Sequence, residues 1–234
     1  MAEEKFQDLM PEHAIQRRCP VVCTIDVSGS MDGKPLEEVK TGLEQFVNDI
    51  LSDPQAKKSV DLCLITFGGT VEILQRFAPI DTIDIQSVLQ KLSSKSTTPM
   101  GTALRTAFQE LEEWKQNLRG QGVSYYRPWL LLLTDGLPTD MKRGDATYEE
   151  IKQQLQSWQQ TKKFVPWAFG TETADFELLK DLFPQGHVYK LAEAEFSAVF
   201  KWLSASITKV SRSNPGSRVS FDKPSVSQQV IFEV

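Results

Sequence analysis

Apolar residues along this chain fall into two alternating patterns. Short, nearly unbroken runs at residues 21–25, 60–67, 129–133, 164–169 and 188–191 have the length and composition of strands buried on both faces. Between them, apolar positions recur every three to four residues. Leu36, Val39, Leu43, Phe46, Val47 and Ile50 form one such stripe, and Leu104, Ala107, Phe108, Leu111, Trp114 and Leu118 form a second. Further helices carry Tyr148, Ile151, Leu155 and Trp158, then Phe176, Leu179 and Leu182. A last helix, expected over residues 193–208, carries Phe196, Val199, Phe200, Leu203 and Ile207. A short helix is expected around residues 85–92. Residues 71–77 differ, because Val71, Ile73 and Phe77 are spaced by polar residues. The Gly68-Gly69 turn before them is too tight for a crossover, so this strand pairs antiparallel and lies half-exposed at an edge.

Strands alternating with helices specify an α/β class with a mostly parallel sheet covered on both faces. Right-handed crossovers and double winding give a Rossmann-like six-stranded sheet of order 3-2-1-4-5-6, with strand 3 antiparallel at the edge. Strands 1 and 4 are then neighbours, and the crevice beyond their carboxyl ends is the switch point where such sheets bind ligands.

Composition narrows this picture. With 234 residues, 40% of them hydrophobic, the chain can bury one core of roughly 200 residues plus tails. We divide it into an arm (1–16), one domain (17–210) and a Ser- and Pro-rich tail (211–234). The apolar end of the tail, residues 230–234, is a candidate extra strand. No apolar run approaches the roughly 20 residues needed to span a bilayer, and the acidic N-terminus has no secretory pattern. Three cysteines, an odd number, fit a reducing compartment and buried small residues better than a disulfide framework. A cytoplasmic location is the expectation. The net charge of −5 gives no basis for nucleic-acid binding, and Arg17-Arg18 and Lys57-Lys58 read as solvated pairs. Nothing in the sequence sets the oligomeric state.

Candidate chemistry sits where the strands end. The first strand finishes in Asp26, followed by Ser28, Gly29 and Ser30. A carboxylate and two hydroxyls are hard oxygen ligands suited to Mg²⁺, Mn²⁺ or Ca²⁺. They are equally ordinary helix caps. Asp135 ends the fourth strand and reaches the same crevice independently, which favours the metal reading. Thr98, in the hydroxyl-rich loop of residues 93–101, can add another oxygen. Met31, Met100 and Leu137 flank these positions, either as an apolar rim or as loop packing; Asp32 and Asp140 read as solvated loop charges.

Asp26-x-Ser28-x-Ser30, Thr98-Pro99-Met100-Gly101 and Asp135-Gly136, in this order, resemble the metal-ion-dependent adhesion site of the von Willebrand factor A domain. The resemblance covers about residues 17–208. The stretch of residues 17–36 is most similar to the bacterial intracellular branch associated with tellurium-resistance and stress gene clusters, the TerY-like proteins. The resemblance implies that Ser28 and Ser30 bind the ion directly and Thr98 directly or through water. Asp26 and Asp135 would act partly through bridging waters. It further implies a non-enzymatic adaptor in which the ion, Mg²⁺ first, receives an Asp or Glu of a partner protein. Two other readings stay open: a Mg²⁺-dependent phosphotransferase using Asp26 as nucleophile, and a structural domain with a vacant site. Against the former, Ser28 stands where aspartate-based phosphatases carry a second acid. Neither His13 nor His187 belongs to the crevice blocks, and no Gly-x-x-x-x-Gly-Lys-Ser/Thr loop is present.

Overall fold

The computed structural model describes residue 6 and residues 9–183, 187–191, 195–214 and 217–221. A four-residue helix, α1 (Pro11–Ala14), precedes strand β1 (Cys19–Asp26). Helices α2 (Lys34–Ser52) and α3 (Pro54–Ser59) lead to β2 (Val60–Gly68). Asp53 ends the first of these and caps the second, its Oδ1 accepting the N–H groups of Gln55 and Ala56. Gly69, at φ 66°, turns the chain into β3 (Thr70–Pro79). Then come α4 (Ile85–Lys91), α5 (Met100–Gly120), β4 (Trp129–Thr134), α6 (Ala146–Gln160), β5 (Val165–Gly170), α7 (Phe176–Leu182), β6 (Val188–Lys190) and α8 (Phe196–Ser211). Residues 193 and 194, at the start of the expected last helix, lie outside the described residues, as do the tail residues 230–234.

The sheet order is β3-β2-β1-β4-β5-β6. All neighbours run parallel except β2 and β3, so the antiparallel edge stands where the turn requires it. Each strand's side chains divide between two cores. Val21, Cys23 and Ile25 of β1 pack with α2 and α8, whereas Val22, Leu130 and Leu132 pack with α5 and α6. Burial on both sides is why β1, β2 and β4 show no polar alternation and β3 does. Helices α2 and α8 approach closely enough that a Cβ on Gly42 would lie 2.5 Å from Phe200 Cδ2 and 2.8 Å from Ser197 Cα. That approach explains a glycine inside a helix, where it costs about 1 kcal/mol of propensity. All three cysteines are buried and free, and burial pushes the Cys19 and Cys23 thiols up to about 12, leaving them unreactive at neutral pH.

One expectation needs correction. Arg18 is not solvated: it is fully buried, and its Nε donates to Asp61 Oδ1 at 3.1 Å. Its Nη groups donate to the same carboxylate and to the Lys58 and Val60 carbonyls, and Trp114 Nε1 donates to Asp61 Oδ2 at 2.9 Å. A charge surrounded by this many acceptors can enter a core. Lys57 and Lys58 do stay exposed. Two described residues beyond 211 contact the domain. The Tyr126 hydroxyl donates to the Ser213 carbonyl at 2.8 Å, and the Phe221 ring meets Trp129 edge-on at 5.2 Å. An aromatic residue gains more from that contact than from water. Among the described residues, no helix is long and apolar enough to cross a membrane.

The β6 end carries a titrating group. His187 stacks on Trp167 at 4.1 Å and its Nδ1–H donates to the Pro166 carbonyl at 2.9 Å. Burial depresses its pKa below the usual histidine value, with the Pro166 bond opposing. The folded protein therefore takes up this proton less readily than the unfolded chain. Stability falls as pH drops through the unfolded value of about 6.5, until the folded group also titrates. We expect the stability difference between wild type and His187→Gln in urea to change in the wild type's disfavour between pH 7.5 and 5.5. A pH-independent difference would refute it.

Candidate metal centre

Strands β1 and β4 end side by side, Ile25 being paired with Leu133, so that Asp26 and Thr134 follow at one level. Asp26 is fully buried. Its Oδ1 accepts the Ser28 N–H at 2.9 Å and its Oδ2 accepts the Thr134 hydroxyl at 2.6 Å. The first bond folds the chain sharply after Val27 and starts a 3-10 turn, Gly29–Met31. In that turn the Ser28 and Ser30 hydroxyl oxygens lie 3.2 Å apart, and both face Asp135. Ser30 Oγ donates to Asp135 Oδ1 at 2.9 Å, and Ser28 Oγ stands 3.5 Å from the same oxygen. Neither Asp26 nor Ser28 caps a helix: the 3-10 turn after Ser28 and α2 after Gly33 both start without a side-chain cap.

Thr98 arrives from the loop between α4 and α5 and is 6% exposed. Its Oγ1 and the Ser30 Oγ lie 3.7 and 4.0 Å from where a Cβ on Gly136 would stand. Glycine therefore forms a bare floor between the two hydroxyls. All five expected residues, Asp26, Ser28, Ser30, Thr98 and Asp135, are thus brought to one crevice from three separate loops.

Electrostatically the crevice is unbalanced. Burial raises the Asp26 pKa to about 6, Asp135 adds to the rise, and the bonds from Thr134 and Ser28 oppose it. Burial raises Asp135 as well, against its bonds from Ser30 and Ser28. Among the described residues no basic side chain hydrogen-bonds or ion-pairs with either carboxylate. The donors are two carboxylates and three neutral hydroxyls, with no nitrogen or sulfur, and among the described residues no three His, Cys, Asp or Glu side chains converge. That set fits a hard divalent cation such as Mg²⁺, Mn²⁺ or Ca²⁺ and suits zinc poorly.

The flanking residues divide between the two open readings. Met31 and Met100 are not a rim: they are 0% and 1% exposed and belong to the two cores. Only Leu137, 61% exposed, presents an apolar side chain beside the crevice. Asp32 stays exposed and accepts from Ser94 Oγ at 2.8 Å. Asp140 is half-buried and more than a loop charge, since three donors at the start of α5 converge on it. Sequence reasoning missed Thr134, which orients Asp26, and Thr173, whose hydroxyl donates to the Asp135 carbonyl. Thr134 was detectable by the signal that singled out Asp26, an oxygen-bearing side chain closing an apolar strand.

Comparison with known proteins agrees with this architecture. The von Willebrand factor type A domain matches residues 21–201. Human inter-alpha-trypsin inhibitor heavy chain H6 is 34% identical over 170 residues, which are 69% of this chain and 12% of that much longer protein. The vWF domain of the type V pili tip protein Mfa5 from Porphyromonas gingivalis superposes with a TM-score of 0.62 at 13% identity, over 87% of this chain and 99% of that one. Manganese-loaded TRAP protein of Plasmodium vivax superposes with a TM-score of 0.54 at 17% identity, over 78% and 72% of the two chains. This chain belongs to the von Willebrand factor type A domain family, whose members commonly mediate protein interactions, often metal-dependent ones.

Proposed function

We propose that the chain is a non-enzymatic interaction module whose crevice holds a divalent cation and, through it, an Asp or Glu of a partner protein. The convergence of three hydroxyls and a buried pair of carboxylates from three loops on one crevice carries the reading. Ser28, Ser30 and Thr98 would bind the ion, with Asp26 and Asp135 behind them acting partly through water. When bound, the ion supplies an electrophilic position that a partner carboxylate can complete. The neutral hydroxyls matter here because they orient the ion without cancelling its charge. Mg²⁺, which keeps several waters and prefers oxygen, is the first candidate, with Mn²⁺ and Ca²⁺ as alternatives. A relative with the same fold is manganese-loaded, which is compatible with that choice. Leu137 offers an apolar contact next to the ion.

The phosphotransferase alternative is weakened by Asp26 itself. Both its oxygens accept hydrogen bonds and the side chain is fully buried, so neither is poised to attack a phosphorus atom. We also infer a cytoplasmic adaptor of a stress or signalling assembly, on the similarity of residues 17–36 to the TerY-like branch and on three free, buried thiols.

The test is a pull-down from native cell extract with the tagged chain in Mg²⁺, in EDTA, and as Asp26→Ala in Mg²⁺. A partner retained only by the wild type with metal is expected. The same partners in all three lanes would show that the crevice does not govern recognition, as a structural domain with a vacant site requires.

A further inference from the structure

We propose that Asp140, together with Thr139, is a positioning pair that fixes Thr98 in the crevice and sets the affinity of the site without touching the ion. This rests on the reading of the crevice as a cation site. Thr98 stands two residues before the first residue of α5, a helix of 21 residues. The first N–H groups of any helix lack partners within it, and here the N-cap position is Pro99, with no side-chain cap. Asp140 supplies the cap from another loop. Its Oδ1 accepts the Gly101 N–H at 2.9 Å, and its Oδ2 accepts the Thr102 N–H at 2.7 Å and the Thr102 hydroxyl at 2.8 Å. A negative charge at a helix N-terminus is also favourable to the helix dipole.

Thr139 completes the clasp. The Thr98 N–H donates to Thr139 Oγ1 at 3.1 Å, and the Thr139 N–H donates to the Thr98 carbonyl at 2.9 Å. Both backbone groups of Thr98 are thus held by the residue beside Asp140. Gly101 permits the approach, since a Cβ there would already lie 3.3 Å from Asp140 Oδ1 and 3.1 Å from Thr147 Cγ2. The loop that supplies Thr139 and Asp140 is the one that begins with Asp135. Thr98 and Asp135 come from different parts of the sequence and are laced into one unit by five hydrogen bonds. Residues that orient ligands in this way typically change metal affinity 10- to 100-fold when removed.

The experiment measures Mn²⁺ binding by calorimetry, metal-free melting temperature and amide exchange on the full chain, for wild type, Asp140→Ala, Asp140→Asn and Asp84→Ala. Asp84 caps α4, its Oδ1 accepting the Ser87 N–H, and serves as a control for simple cap loss. We expect Asp140→Ala to bind Mn²⁺ at least tenfold more weakly and to speed exchange at the Thr98 amide before any metal is added. Asp140→Asn, which keeps one acceptor, should recover part of the affinity. Asp84→Ala should lower the melting temperature and leave Mn²⁺ affinity within twofold. Asp140→Ala binding like wild type, or Asp140→Asn binding no better than Asp140→Ala, would overturn the positioning role and leave an ordinary cap. Wild type failing to bind Mn²⁺ would instead overturn the cation site itself, and with it this inference.

Discussion

Asp26→Asn stabilises the metal-free protein and abolishes its response to Mg²⁺. The two effects share one cause. Burial lifts the Asp26 pKa from 3.8 to about 6, so its ionised form costs the fold free energy at neutral pH. For a carboxylate with a raised folded pKa, stability is fully present below the unfolded value and is lost as pH rises through the folded one, here between about pH 4 and 6. At pH 7 the cost is on the order of 2–3 kcal/mol, from about 1.4 kcal/mol per pKa unit. Asparagine removes the charge and keeps an oxygen for the Ser28 N–H. The wild type needs the charge once the ion is present: at a hundredfold excess over Kd, ligand binding adds about 2.7 kcal/mol, or about 5–10 °C in Tm at this chain length. Thermal melts with Mg²⁺ and with EDTA measure both. Equal Mg²⁺ shifts in the wild type and Asp26→Asn would remove Asp26 from the site.

Arg18→Met costs about 3–5 kcal/mol and leaves the crevice's chemistry intact. Arg18 and Asp61 are both fully buried, at the ends of β1 and β2 opposite the crevice. Taking away the guanidinium leaves the Asp61 carboxylate with Trp114 Nε1 as a remaining donor, and an unpaired buried charge is the expensive state. Arg18→Lys should rescue little, because an ammonium cannot reproduce the fork that serves Asp61 and the Lys58 and Val60 carbonyls together. Combining Arg18→Met with Asp61→Leu should restore much of the loss, since a well-packed apolar pair replaces a buried ion pair at little cost. Urea denaturation of the two single variants and the double variant tests this. Additive losses in the double variant would show that the pair does not act as a unit.

The two predictions probe opposite ends of β1, and the sequence informs on them unequally. At the carboxyl end, oxygen-bearing residues closing an apolar run contradict the expectation for a buried strand, and the contradiction marks the site. At the amino end, Arg18 looks like any surface arginine because its partner is 43 residues away.

The sequence by itself determined the order of elements and the antiparallel edge at β3. Those features follow from local periodicity, turn length and the winding rules of parallel sheets, all of which act over a few residues or one crossover. The five candidate residues of the crevice come from oxygen-bearing side chains at strand ends and in loops, together with the resemblance to the family's motif. Tertiary structure alone decided the burial of Arg18, Met31 and Met100, the seat of Phe221 on Trp129, and the conversion of Asp140 from a loop charge to the cap of α5. Each of these depends on what a distant segment offers as a neighbour. A polar or apolar side chain carries its preference in its own chemistry, but the partner that satisfies it is supplied only when the sheet closes and the loops meet.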